Sequence, residues 1–164
     1  MNLGLFLTPG DSLTKQKKSG QLDRLINYYL KPYSKSFNKV YIFSYGDLSF
    51  QDKLPANIKL ISKPLFIPYQ LYQFLLPFIQ CLLIREIDVF RVFQTIGGFP
   101  ALMIEKLYKK PYLVTYGYHY SQFARIEKQP FKARLMTIGV KPVLKNAQKI
   151  ITTSEDNFKY LDNL

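Results

Sequence analysis

An α/β fold, with a parallel sheet doubly wound by helices on both faces, is the class this sequence predicts. Short apolar runs alternate with amphipathic stretches about six times along the chain. The strand-like runs are apolar without clean alternation, as expected for strands covered on both sides. The 164 residues, 48% hydrophobic and 21% charged, suit one domain with a core of its own.

The elements follow in order. Asn2 to Thr8, "NLGLFLT", opens the chain as an apolar strand. Pro9 to Gly20 is polar and reads as a loop. Leu22, Leu25, Ile26, Tyr29 and Leu30 fall at helical spacing, and Ser19 is placed to cap that helix. Val40 to Tyr45 reads as a strand ended by Gly46-Asp47, and Ile58 to Ser62 as another. An uncharged helical stretch follows, then a strand over Asp88 to Gln94. Gly97-Gly98 turn the chain into a helix, and Pro111 to Tyr116 returns as a strand whose first residue needs no ladder donor. A helix over Phe131 to Asn146, with bends expected at Gly139 and Pro142, leads to a last strand, "KIITTS". Ser154, followed by Glu155 and Asp156, marks a further helix start with acids at its positive end.

Composition narrows the chemistry. A formal charge of +12 favours an anionic partner: nucleic acid, anionic lipid or a phosphorylated substrate. Cys81 is the one cysteine and His119 the one histidine, which excludes a disulfide framework and leaves no Cys/His metal site. "MNLGLFLTPGD" lacks the basic start and long apolar run of a secretory signal, so a cytoplasmic location is expected. Pro64 to Ile84 is uncharged and long enough to span a bilayer, yet its prolines and glutamines are spread along its length. A buried helix, or one lying on a membrane surface, is the expectation there.

Several chemistries have no signature. There is no GxGxxG, no GxxxxGK[ST] and no GxSxG. None of the eleven acids forms an Asp-x-Asp pair, so a sugar transferase would have to work without a divalent metal. Gly97-Gly98 before a helix can turn backbone N–H groups toward an anion; the alternative is a plain strand-to-helix turn.

The order of motifs resembles the amino-terminal domain of glycosyltransferase family 4, the GT-B fold. The matching features are Asp88-Val89 opening a strand, the Gly97-Gly98 turn, Lys110-Pro111 leading a strand to the Tyr116-Gly117 corner, and Ala147 through Ser154. The opening "FLTPGDSLTKQKKSGQLDRLINYYL" fits that family's glycine-bearing first loop and helix. The resemblance implies that residues 1–164 form a single Rossmann-like domain, the acceptor-holding half of a two-domain enzyme. The donor-binding carboxyl-terminal domain would then be supplied in cis or by a separate chain. It further implies a nucleotide-sugar co-substrate, no cofactor, and a polysaccharide or lipid-phosphate acceptor at the inner face of a membrane. The family's histidine before the corner glycine is Tyr116 here, and its acidic position two residues after that glycine is His119.

Strand ends in such sheets form the ligand rim. The corner places Tyr116, Gly117, Tyr118, His119 and Arg125 there. Tyr116 and His119 are the catalytic candidates. Tyrosine rings suit sugars, histidine moves protons near neutral pH, and Arg125 can grip a phosphate. Gly10, Ser19 and Gly20 in the first loop, with Gln94, Gly97 and Gly98 on the fourth, complete the substrate-binding set. The alternative is a solvated loop in which the tyrosines cover sheet edges. Arg125 to Lys149 carries seven cations against Glu127 alone, interleaved with Leu135, Met136, Ile138, Val140 and Val143: a surface for anionic headgroups, or a solvated helix face. Two further readings follow from the charge and the half-enzyme resemblance. One is a non-catalytic subunit that docks a catalytic chain on a membrane. The other is a nucleic-acid-binding module, for which no motif is present.

Overall fold

A computed structural model describes residues 1–47, 50, 54–117 and 126–162, with 132, 133 and 135–137 in backbone only. Its centre is a six-stranded sheet in the order β3-β2-β1-β4-β5-β6, with every pairing parallel. The strands are β1 (Asn2–Phe6), β2 (Lys39–Ser44), β3 (Ile58–Ser62), β4 (Val89–Val92), β5 (Tyr112–Tyr116) and β6 (Lys149–Thr152). Parallel neighbours need crossovers, and helices supply them.

Alternation along β1 and β2 divides the core. Leu3, Leu5, Leu7, Val40 and Ile42 point to one face and Phe6, Tyr41 and Phe43 to the other. The first face is covered by α1 (Leu13–Lys18), α2 (Leu22–Leu25), a π turn (Ile26–Leu30) and α3 (Lys31–Ser36). The second is covered by α4 (Tyr69–Ile79), α5 (Cys81–Glu86), α6 (Phe99–Tyr108) and α7 (Pro130–Lys145). α8 (Glu155–Asp162) begins at Ser154, whose hydroxyl accepts from the Asn157 N–H at 3.2 Å. The doubly wound class is therefore observed. Gly4 sits mid-strand because the Phe90 ring crosses it: a β-carbon there would come within 2.5 Å of that ring.

Two expectations are corrected. The polar stretch Pro9 to Gly20 is not all loop, since α1 lies in it. Ser12 caps that helix through the Lys15 N–H, and the carboxylate of Asp47 takes the next donors. Asp47 Oδ2 accepts from Leu13 N at 2.5 Å and Ser44 Oγ at 2.7 Å; Oδ1 accepts from Thr14 N at 2.9 Å and Thr14 Oγ1 at 2.5 Å. Burial on its own would raise the pKa of Asp47; these hydrogen bonds outweigh it and hold the carboxyl below its ordinary value. The second correction is Ser19, which does not cap the helix at Leu22. Its hydroxyl donates to Gln16 O and its N–H to Lys15 O, so it closes α1 instead. Gly20, at φ +72°, then turns the chain out of that helix. The uncharged run forms α4 and α5, broken at Gln80, and no helix among the described residues is long and apolar enough to cross a membrane.

Candidate functional site

The strand order reverses direction between β1 and β4, and open α/β sheets bind ligands in the crevice beyond such a point. A cleft of about 180 Å³ lies there. Leu7 and Thr8 enter it from the end of β1, Phe93 and Gln94 from the end of β4. Asp11 comes from the first loop and Gln16 from α1. Gln21, Arg24 and Leu25 come from α2 and its approach, and Tyr29 from the π turn. π turns inside helices recur at functional sites.

Each polar group is fixed by its local fold. Asp11 N donates to Thr8 O at 2.8 Å, and Tyr45 N donates to Asp11 O at 3.0 Å, which ties the first loop to the end of β2. The Asp11 carboxylate accepts from Ser12 N at 2.8 Å and from Gln16 Nε2. Gly10, at φ +81°, permits the turn that brings Asp11 back over the sheet, and its carbonyl accepts from Lys15 Nζ. The apolar floor is a pair of rings, Tyr29 edge-on to Phe93 at 5.3 Å. The Arg91 guanidinium lies behind both, 5.9 Å and 5.7 Å from their centres, and reaches Thr115 Oγ1 at 3.3 Å. Tyr33, beside this group, has its hydroxyl pKa pushed up by burial while Arg91 pulls it down.

Of the described residues named from sequence, only Gln94 lines this cleft. Gly10 stands beside it in the turn before Asp11. Ser19 and Gly20 are exposed at the far end of α1. Gly97 and Gly98 do not present their N–H groups to a ligand. Those groups close the 3₁₀ turn Thr95–Gly97 by donating to Gln94 O at 2.8 Å and Thr95 O at 2.9 Å. Packing explains these glycines instead: a β-carbon on Gly98 would lie 2.4 Å from Val143 Cγ1, and one on Gly97 3.0 Å from Leu7 O.

Tyr116, which the corner places on the ligand rim, is buried instead. Its side chain points to the second face, is 2% exposed, and stacks on Tyr160 of α8 at 5.7 Å. Gly117 is exposed, with Thr153 Oγ1 donating to its carbonyl at 3.4 Å. Tyr118, His119 and Arg125 lie outside the described residues. Sequence reasoning missed Asp11, Gln16, Gln21 and Arg24. The signal was a run of polar residues in a strand-end loop, but it could be used only once β1 was known to lie beside β4.

No protein-family model matches the chain, and no curated protein matches it. Among solved structures it is similar to a sucrose-phosphate synthase from Thermosynechococcus elongatus, with a TM-score of 0.70 and 16% identity. That match covers 99% of this chain and 45% of the other, so the chain spans less than half the length of its neighbour. At this identity the likeness is one of fold alone, a parallel α/β domain of the Rossmann-like kind.

Proposed function

We propose that the chain is the acceptor-side domain of a metal-independent glycosyltransferase of the family 4 type. In this reading it uses a nucleotide-sugar as donor and a polysaccharide or lipid-linked acceptor, and the donor-binding half is supplied in cis or by a second chain. The observation that carries the reading is the cleft between the ends of β1 and β4. Asp11, Gln16, Gln21, Arg24 and Gln94 stand over the Tyr29–Phe93 floor. Carboxamides both donate to and accept from sugar hydroxyls, the Asp11 carboxylate accepts from them, aromatic faces pack on the C–H side of a ring, and Arg24 can hold a phosphate. The volume falls below the roughly 300 Å³ of a drug-sized pocket and fits one ring rather than a whole nucleotide-sugar. Catalysis would then consist of fixing the acceptor hydroxyl toward the donor half, an orientation effect rather than a covalent one.

The side-chain amides of Gln16, Gln21 and Gln94 report on the cleft by NMR. Titration with hexoses, hexosamines and their phosphates should shift these amides, while UDP- and GDP-sugars leave them in place. Shifts with nucleotide-sugars and none with the saccharides would reverse the assignment of sides.

A further inference from the structure

Helix α4 carries apolar side chains on two opposite faces. The inner face buries Tyr72 and Leu76 against the sheet. The outer face presents Leu71, Phe74 and Phe78, spaced i, i+3 and i+7, all exposed. Leu65 and Phe66 in the preceding turn are 75% and 85% exposed, and Leu82 in α5 is 75% exposed. No charged residue occurs between Lys63 and Arg85. A contiguous apolar face turned to solvent marks a partner or a membrane surface. At eleven residues α4 is about 16 Å long, half the roughly 30 Å needed to cross hydrocarbon.

The same helix layer carries the matching charge. α4 packs on α6 and α6 on α7, so the outer faces of all three look away from the sheet together. α7 buries Val143 and Leu144 and exposes Phe131, Arg134, Ile138, Lys141 and Lys145 on the opposite side. No acid occurs in Pro130–Lys145 or between Lys63 and Arg85.

We propose that this layer is the surface on which the protein lies on an anionic lipid bilayer. Leu65, Phe66, Leu71, Phe78 and Leu82 enter the headgroup–acyl boundary, while Arg134, Lys141 and Lys145 meet lipid phosphates. A second copy of the chain would bring cations against cations, at a net +12 on each. A bilayer with anionic headgroups supplies the opposite charge and an apolar layer at once.

The test is sedimentation of the whole chain with vesicles of phosphatidylcholine, with or without an equal part of phosphatidylglycerol. It needs no acceptor or donor, so it stands apart from the glycosyl-transfer reading. The chain should bind the anionic vesicles, weakly at high salt, and bind phosphatidylcholine alone far less. Phe66→Ser with Leu82→Ser should weaken binding on the order of tenfold per residue. Arg134→Glu with Lys141→Glu should weaken it by at least about fivefold per residue. All four side chains are exposed, so folding is expected to survive; if melting shows that one pair unfolds the chain, the other pair decides. Equal binding to both vesicle types, no binding to either, or binding untouched by the variants would overturn the proposal. So would a wild-type dimer that becomes monomeric in the serine variant, which would put a second copy on the patch.

Discussion

Replacing Asp47 by asparagine should loosen the first helix and with it one wall of the cleft. The carboxylate is 2% exposed and accepts four hydrogen bonds, two at each oxygen. An asparagine side chain has one accepting oxygen. Whichever way it turns, its NH₂ group faces the N–H of Leu13 or of Thr14. One buried backbone donor left without a partner costs about 1–3 kcal/mol, and the remaining bonds lose their charge assistance. The sum is about 3 kcal/mol, a fall in Tm on the order of 10 °C for a chain of this size. Urea unfolding of Asp47→Asn against the wild type measures it. The pH dependence gives a second check. The folded pKa is held below the unfolded value of about 3.9, so the stabilisation is fully present above that value and is lost as pH falls through the folded one. The gap between wild type and variant should therefore be constant from neutral pH down to about 5 and close below about 4. A variant within about 0.5 kcal/mol of the wild type at neutral pH would refute the clamp.

Other outcomes follow from the same geometry. Arg24→Ala should weaken binding of sugar phosphates about tenfold while leaving Tm unchanged, because the side chain is exposed; calorimetric titration with hexose phosphates reads both halves of the claim. Gly98→Ala should cost about 2 kcal/mol in urea unfolding, since its β-carbon would lie 2.4 Å from Val143 and α7 would have to shift. The chain alone should release no nucleoside diphosphate from UDP- or GDP-sugars, and release should appear when a donor-binding domain is fused or added. Turnover by the chain alone, well above buffer hydrolysis, would remove the acceptor-side reading.

Much of the sheet was legible because buried parallel strands are short apolar runs bounded by turn residues. Ile58–Ser62 falls where its pattern puts it, and the other strands differ by a residue or two at their ends. The first helix was illegible for a long-range reason: its N-terminus is satisfied by a carboxylate from the loop after β2, and its own residues, "LTKQKK", are mostly polar. The cleft was half legible. A strand end announces a rim, which found Gln94, but pattern alone cannot say which strands are neighbours. Asp11, Gln21 and Arg24 gain meaning only from the β1–β4 pairing. Nor does a strand end reveal which way its last side chain points, and Tyr116 points into the core. Glycines before a helix suggest ligand contact as readily as packing, and at Gly98 the Val143 methyl decides for packing.

The central position of β1 also sets the order in which the molecule can be completed during synthesis. Among the described residues the buried side chains of the first face fall between Leu3 and Ile58, and of those packed against them Val89 and Phe93 come later, so the amino-terminal third assembles most of that half of its core. Its other face, with Phe6, Tyr41 and Phe43, has no cover until Tyr72, Ile84 and Ala101 arrive. One edge of β1 likewise waits for β4, which pairs Leu3 with Val89. At about 5–20 residues per second, the ribosome needs roughly 2–10 s to pass from the end of β2 to the end of β4. Through that interval the nascent chain presents a bare strand edge beside an aromatic face, the combination most prone to pair with a neighbouring chain. Those seconds are when a chaperone would have most to gain by holding this protein.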